Sequence, residues 1–253
     1  MLVKRLLWVL ALLVAGCGVQ EVMPQSVDLD RDGLSDSLED QLAQSFFPKL
    51  WFDPGEDCTA PASASQPGTA LARVRPHPGD PSRIAITYVT LYREDCGDVF
   101  GITGHPGDLE PFAITLAVNP SCPNGYGIVQ AKSIAHAGTV TETVDRLQLN
   151  NTCSWGPAYA AENKHGVYFS LASCDAGGFL GSDHCGQSFS RGWRVYNVGE
   201  PDAVRLDDLS GVGFPGEFAW QDQNFCGGQG RISGCPGPVR EKLVSEVFLA
   251  PAR

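Results

Sequence analysis

The stretch GHPGDLEPFAITLAV, residues 104–118, places an acidic turn containing one histidine directly before an apolar segment. The apolar part, residues 110–118, is typical of a buried β-strand, and we expect Glu110 at or near the entrance of that strand. If Asp108 and Glu110 are already extended, they share one face, because side chains alternate along a strand. His105 lies on the turn and can swing onto that face. An imidazole and two carboxylates favour Ca²⁺, Mg²⁺ or Mn²⁺; the alternative is a plain polar turn.

The composition favours a mainly β protein that does not bind nucleic acid. The chain has 253 residues, enough for one sizeable domain or two small ones. Its 29 glycines and 18 prolines indicate many turns and short strands rather than long helices. The formal net charge of −11 argues against a nucleic-acid partner, which would need clustered Lys and Arg, and it suits cation binding and export.

Alternating and apolar segments predict strands on both sides of the opening stretch. The clearest alternation puts Ile84, Ile86, Tyr88 and Thr90 on one face. The predicted strands are residues 71–75, 83–92, 110–118, 127–135, 167–171 and 193–198, and residues 241–249 form a strand or a short helix.

The N-terminus has the pattern of a bacterial export signal over residues 1–17. Lys4 and Arg5 precede an apolar run, residues 6–15, that is too short to span a bilayer. Residues 14–17, VAGC, resemble a lipobox, which implies that Cys17 is acylated and anchors the chain to a membrane. Gly18 after the cysteine, by the same resemblance, favours the outer membrane of the cell envelope. The alternatives are a plain secretory signal or an uncleaved anchor.

The remaining eight cysteines predict disulfides, because an exported chain meets an oxidising environment. Eight cysteines allow roughly a hundred pairings, so the sequence does not assign them. The glycine-rich region 174–185 is nevertheless expected to be a loop pinned by a disulfide.

Residues 28–39, DLDRDGLSDSLE, fit the calcium-binding loop of an EF-hand, after a tether of residues 18–27. Gly33 provides the sharp turn, and an exit helix is expected over residues 35–45, ending before Pro48. The loop resembles thrombospondin type 3 and dockerin repeats, and we expect a structural Ca²⁺; the alternative is an acidic, solvated linker. The predicted ligands are Asp28, Asp30, Asp32, the carbonyl of Leu34, Asp36 and Glu39.

The opening heptapeptide, GHPGDLE, resembles the GHRHDWE motif of the necrosis- and ethylene-inducing-like proteins. It resembles more closely the GDWE-type variant of a broader vacuolar-sorting-related family. Residues 47–56 (FPKLWFDPGE), 164–169 (KHGVYF) and 196–201 (YNVGEP) are similar to further stretches of that family. The resemblance implies a disulfide-stapled β-sandwich, assigned to residues 46–253, with a metal-lined cavity at one end. Gly107 and Leu109 replace the His and Trp of the necrosis group, which argues against toxin activity.

The same resemblance extends the predicted pocket ligands beyond His105, Asp108 and Glu110. It implies one more acidic ligand, either Asp95 or Asp98, and makes His165 a candidate. His136 ends a predicted strand and is either a further ligand or an ordinary strand-end histidine.

Three functions remain open. The first is a membrane-anchored protein that binds a glycan or a lipid headgroup at the metal pocket, as the resemblance to the toxins implies. The second is a metal-dependent hydrolase with Glu110 or His136 as base. The third is a structural envelope protein stabilised by calcium. The sequence contains no G-x-S-x-G, Walker, HExxH or dinucleotide-binding motif.

Overall fold

The computed structural model describes residues 27–58, 67–97, 104–135, 140–145, 153–178, 180–198, 242–243 and 245–252. The predicted signal segment with Cys17, the tether up to residue 26, Asp98, His136, Cys226 and Cys235 lie outside these residues. Within the described ranges, no helix has the length and apolar character needed to cross a membrane.

The described part of the chain is mainly β, with one short helix before the sheets. Helix α1 spans Asp36–Ser45, helix α2 spans Leu171–Asp175, and a 3-10 helix spans Glu246–Phe248. The strands are β1 Lys49–Phe52, β2 Gly68–His77, β3 Asp80–Asp95, β4 His105–Val118, β5 Tyr126–Ser133, β6 Val140–Thr143, β7 Pro157–Ala160, β8 Val167–Tyr168, β9 Phe189–Ser190 and β10 Trp193–Asn197.

The strands form two sheets around one apolar core, which confirms the predicted β-sandwich. One sheet has the order β10-β2-β3-β4-β5-β6 and the other β8-β7-β1-β9. The core combines Tyr88 and Phe112 of the larger sheet with Phe52 of the smaller sheet and Leu42 of α1, all of them buried. Tyr88 and Phe112 are directly opposite in register and stack with ring centroids 5.0 Å apart. Aromatic cross-strand pairs of this kind stabilise a sheet.

The central hairpin is longer than the sequence predicts. Strand β4 begins at His105, so Glu110 lies inside the strand and not at its entrance. The reason is that β3 continues to Asp95, which pairs with His105 and gives the start of β4 a hydrogen-bonding neighbour. His105 is therefore a strand residue rather than a turn residue.

The predicted strand over residues 167–171 is wrong beyond Tyr168. The Ser170 hydroxyl accepts a hydrogen bond from the Ser173 amide and caps helix α2, which begins at Leu171. A serine N-cap outweighs the β-propensity of the preceding residues, since it satisfies an amide that the helix leaves without a partner. Of the two alternatives for residues 241–249, the short helix is present as Glu246–Phe248.

Within the described residues there are three disulfides, in agreement with the prediction from the cysteine count. They join Cys58 to Cys96, Cys122 to Cys153 and Cys174 to Cys185. The last bridge pins the glycine-rich loop as predicted. The first joins the loop after β1 to the end of β3, and so connects the two sheets near the heptapeptide.

Candidate metal centre

The predicted acidic residues lie side by side on the central hairpin. Asp108 is 3% exposed and faces Tyr92 across the β3–β4 ladder, while Glu110 is partly buried and faces Thr90. The Thr90 hydroxyl donates to the backbone carbonyl of Glu110 at 3.1 Å. Asp95 lies at the end of β3, near enough to act on Glu110 electrostatically. The alternation of β4 thus brings two carboxylates to one face, as the sequence predicts.

His165 joins this cluster from the smaller sheet. Its side chain is fully buried, and its backbone has φ of +56°, held by a hydrogen bond from its amide to the Ala161 carbonyl at 2.8 Å. Nδ1 lies 2.7 Å from Oδ2 of Asp108, and Nε2 lies 3.3 Å from Oε1 of Glu56. The ring stacks on Tyr92 with centroids 4.0 Å apart. Both ring nitrogens therefore face carboxylates.

Glu56 is fixed in place by the turn that carries His165. Its Oε2 accepts a hydrogen bond from the Asn163 amide at 2.8 Å. The Asn163 side chain in turn accepts from the amide of Cys58 at 3.1 Å, and its carbonyl accepts from the amide of Cys96 at 3.0 Å. The Cys58–Cys96 disulfide closes this arrangement. Glu56, Asn163 and the disulfide together position His165 beneath Asp108.

The electrostatics of the cluster follow from its burial and its excess of acids. Burial alone lowers the pKa of His165, but the hydrogen bonds to Asp108 and Glu56 outweigh it and raise that pKa to about 9. The ring is therefore a cation at neutral pH, and both nitrogens donate. Burial raises the pKa of Glu110 well above its usual range, and the Asp108 carboxylate adds to the increase, while the Lys242 ammonium opposes it.

A second polar network lies beside the cluster. The Tyr168 hydroxyl donates to Oδ2 of the buried Asp183 at 2.5 Å, and Nζ of Lys164 lies 3.5 Å from Oδ1 of the same carboxylate. Burial and the hydrogen bond to Asp183 raise the pKa of Tyr168, and the charge of Glu110 contributes to that increase. The phenol therefore stays protonated and acts only as a hydrogen-bond partner.

The predicted calcium loop gathers carboxylates at the entrance to helix α1. Oxygens of Asp28, Asp30 and Asp32 lie within 4.8 Å of one another, and Asp30, Asp36 and Glu39 form a second such group. In the described part of the chain, Oδ1 of Asp28 is buried with no hydrogen-bond partner. This donor set fits Ca²⁺, which prefers several carboxylate oxygens.

The loop backbone has the shape that this donor set needs. Gly33 has φ of +98°, a conformation that favours glycine, and its amide donates to Oδ2 of Asp28 at 3.1 Å. Ser35 caps α1, which ends at Ser45, so the exit helix matches the predicted one within a residue. Glu39 is fully buried, and its Oε2 accepts a hydrogen bond from Nδ2 of Asn197 on β10 at 3.1 Å.

The structure brings together Asp108, Glu110, His165 and the end of β3 at Asp95. The backbone of His105 lies on the same strand, but its side chain, like Asp98 and His136, lies outside the part of the chain that the structure describes. Sequence reasoning missed Glu56. Its only signal in the sequence is its position at the end of the FPKLWFDPGE stretch. The resemblance of that stretch assigns no role to the glutamate.

A mainly β, two-sheet protein with a buried carboxylate–histidine cluster is thus the class that the fold and the site define. No protein-family model matches the chain, and no curated protein matches its sequence. Solved structures with a similar arrangement include a non-toxic HaNLP3 protein, at 14% identity and a TM-score of 0.39 over 63% of this chain and 75% of that chain. Another, described as a toxin fold for microbial attack and plant defense, has 18% identity and a TM-score of 0.40, covering 69% of this chain and 80% of that one.

A third similar structure is NLPPya in complex with glucosamine, at 18% identity and a TM-score of 0.38, covering 74% of this chain and 87% of that chain. Likenesses of this size do not assign the chain to a family. The function proposed for it rests on the residues of its own site.

Proposed function

We propose that this chain is a divalent-cation-binding protein of the cell envelope that recognises a glycan or a lipid headgroup at the Asp108–Glu110 pocket. The observation that carries the proposal is the convergence of Asp108, Glu110, His165 and Glu56, from both sheets, in one buried cluster. With Asp95 the cluster has four carboxylates, which outnumber its two cations, the His165 imidazolium and the Lys242 ammonium. Burying that excess is costly unless a cation compensates it.

The residues present fit a hard cation. Asp108, Glu110 and Asp95 would supply carboxylate oxygens, and the resemblance of the heptapeptide adds His105. His165 has both nitrogens hydrogen-bonded to carboxylates, so its role in this arrangement is to orient Asp108 rather than to offer a lone pair. When bound, the cation would supply a positive centre for hydroxyl or phosphate oxygens of the ligand.

The calcium loop has a different role in the proposal. Ca²⁺ at Asp28, Asp30, Asp32, Asp36 and Glu39, with the carbonyl of Leu34, would stabilise the fold, because an ion that binds only the native state shifts the folding equilibrium. The proximity of the carboxylates and the buried Oδ1 of Asp28 support this assignment.

The location proposed for the chain is the outer membrane of a bacterial envelope, with a lipid anchor on Cys17. The export pattern of residues 1–17 and the VAGC sequence support it. Cys17→Ala should abolish lipid labelling and release the protein from the membrane fraction. Continued labelling and membrane retention of that variant would contradict the anchor.

Metal content tests the central claim. We expect two divalent ions per molecule for residues 18–253 in saturating Ca²⁺, and one each for Asp108→Asn and Asp30→Asn, since each variant loses a different site. If Asp108→Asn is folded and retains two ions, the pocket is not a metal site. A second test measures binding to glycolipid vesicles, with phosphatidylcholine vesicles as the comparison. The wild type should bind the glycolipid vesicles, and the Asp108→Asn variant should not.

A metal-dependent hydrolase is the second candidate, and one observation favours it. Burial and the Asp108 carboxylate raise the pKa of Glu110, and a raised pKa makes a carboxylate a stronger base. Glu110→Gln separates the two functions: a hydrolase loses turnover while it still binds, whereas a binding protein loses affinity and shows no turnover before or after. If the substitution changes only the melting temperature, the protein is structural.

A further inference from the structure

A groove separate from the acidic cluster lies between the end of helix α1 and strand β10. Its volume is about 630 Å³, within the range of small-ligand sites. Aromatic and cationic side chains dominate its lining: Phe47, Lys49, Arg191, Trp193, Arg194 and Tyr196. Among the residues that the structure describes, no Asp or Glu lines the groove.

The charge of the groove is opposite to that of the chain. The protein carries a net charge of −11, yet three cations meet here. Within the described ranges, no carboxylate lies within 4.0 Å of the charged nitrogens of Lys49, Arg191 or Arg194. Lys49 and Arg194 are exposed. The Glu56 carboxylate acts on Arg191 from a greater distance, while Lys49 and Arg194 add positive charge at the surface, so a groove of this sign attracts an anionic ligand.

The aromatic side chains hold two of the cations in position. The Arg191 guanidinium lies 4.7 Å from the ring centroid of Trp193 and 5.3 Å from that of Phe52. Nζ of Lys49 lies 3.9 Å from the centroid of Trp51. In the described part of the chain, Nε of Arg191 and Nε1 of Trp193 are buried without hydrogen-bond partners. Such donors are uncommon in folded proteins.

We propose that this groove is a second binding site, for a saccharide that carries carboxylate or sulfate groups. Arginine pairs with carboxylate and sulfate through parallel hydrogen bonds, which provides the recognition of the charged groups. The partly exposed rings of Phe47, Trp193 and Tyr196 offer flat apolar faces to the carbon-bound hydrogens of a sugar ring. A neutral glycan would leave the cations uncompensated, and an aliphatic anion would leave the rings unused.

Titration calorimetry with a chondroitin sulfate tetrasaccharide tests the proposal, with neutral chitotetraose as the comparison ligand. The purified chain should bind the sulfated ligand at least about tenfold more tightly than the neutral one, and Lys49→Gln/Arg194→Gln should lose most of that difference. Both substituted residues are exposed, so the fold should persist. The control is Arg83→Gln, which removes one positive charge roughly 20–30 Å along β3 from the strand positions level with the groove.

Four results would overturn the proposal. The first is that the wild type does not bind the tetrasaccharide, and the second is that the double variant binds it as tightly as the wild type. The third is that Arg83→Gln loses as much affinity as the double variant. The fourth is that the wild type binds a hexaglutamate peptide more tightly than the tetrasaccharide, which would make the occupant an acidic peptide. Glu110→Gln distinguishes this groove from the metal pocket. If that variant loses the tetrasaccharide while the double variant keeps it, the ligand occupies the pocket and not the groove.

Discussion

Glu56→Gln should make the stability of the protein less dependent on pH, because Glu56 helps to hold His165 in its charged form. Both oxygens of the carboxylate are used: Oε1 faces Nε2 of His165 and Oε2 accepts from the Asn163 amide. Glutamine has a single acceptor oxygen, so it cannot serve both donors. The variant must therefore give up one hydrogen bond while it keeps the size and shape of the original side chain.

The magnitude follows from the pKa of His165. A folded-state pKa of about 9, against 6.5 for an ordinary histidine, favours the folded state by about 3 kcal/mol. The raised pKa means that this contribution is complete below pH 6.5 and is lost as the pH rises through about 9. Hydrogen bonds to charged groups contribute about 2 kcal/mol. We expect Glu56→Gln to cost about 2 kcal/mol at pH 6 and less than about 1 kcal/mol at pH 9.5, where the wild-type ring is mostly neutral.

Urea denaturation between pH 5.5 and 9.5, with EDTA present and the disulfides intact, measures this difference. The comparison between variants is needed because Glu110, whose pKa is also raised, makes stability fall with increasing pH in the same direction. Glu94→Gln is the matched control, since it makes the same chemical change at an exposed position on β3. A Glu56→Gln deficit that is the same at pH 6 and pH 9.5 would refute the charged state assigned to His165. A deficit no larger than that of Glu94→Gln would refute the hydrogen-bonded role of Glu56.

Three further substitutions test the loop, the core and a disulfide. Asp30→Asn should abolish the rise in melting temperature that Ca²⁺ should produce in the wild type. Asp57 is an exposed acid outside the loop, so Asp57→Asn should leave that rise unchanged. Calorimetry with and without Ca²⁺ measures the melting temperatures of both variants. Phe112→Ala should cost about 3–5 kcal/mol in urea denaturation, because the ring is fully buried between the sheets; a loss below about 1 kcal/mol would contradict that packing. The double substitution Cys174→Ala/Cys185→Ala should cost about 3 kcal/mol, and an unchanged midpoint would show that the bridge does not constrain the unfolded chain.

The sequence predicts the central hairpin well because its signal is local. Ile84, Ile86 and Tyr88 alternate with residues of the opposite face, and the apolar run after Glu110 is continuous, so each strand is visible without its neighbour. The sequence does not predict that β4 begins at His105, because this boundary depends on pairing with β3. A glycine- and proline-containing segment becomes a strand only where β3 extends far enough to pair with it.

The site could be predicted only where its residues are close in sequence. Asp108 and Glu110 are two residues apart, so strand geometry alone places them together. Glu56 and His165 meet across a long separation, through a loop fixed by Asn163 and a disulfide. The periodicity of the sequence does not encode such a contact. The Cys58–Cys96 bridge would indicate it, but the sequence allows too many cysteine pairings to identify that bridge. His165 was found only because its KHGVYF stretch carries a resemblance.

The predicted calcium loop and the sandwich are joined through helix α1, and this connection determines the effect that we expect from removal of calcium. Helix α1 buries Leu42 in the common core, the Tyr88 hydroxyl donates to the Ala43 carbonyl at 2.9 Å, and Asn197 of β10 donates to Glu39. All five of these residues belong to helix α1 or to the larger sheet, so the helix and the sheet cannot separate without opening the core. Removal of Ca²⁺ would leave Glu39 buried among other acids, and the cost of that burial falls on the helix and on β10 together. We therefore expect calcium to shift the unfolding of the whole sandwich in a single transition, rather than to order a separate N-terminal segment.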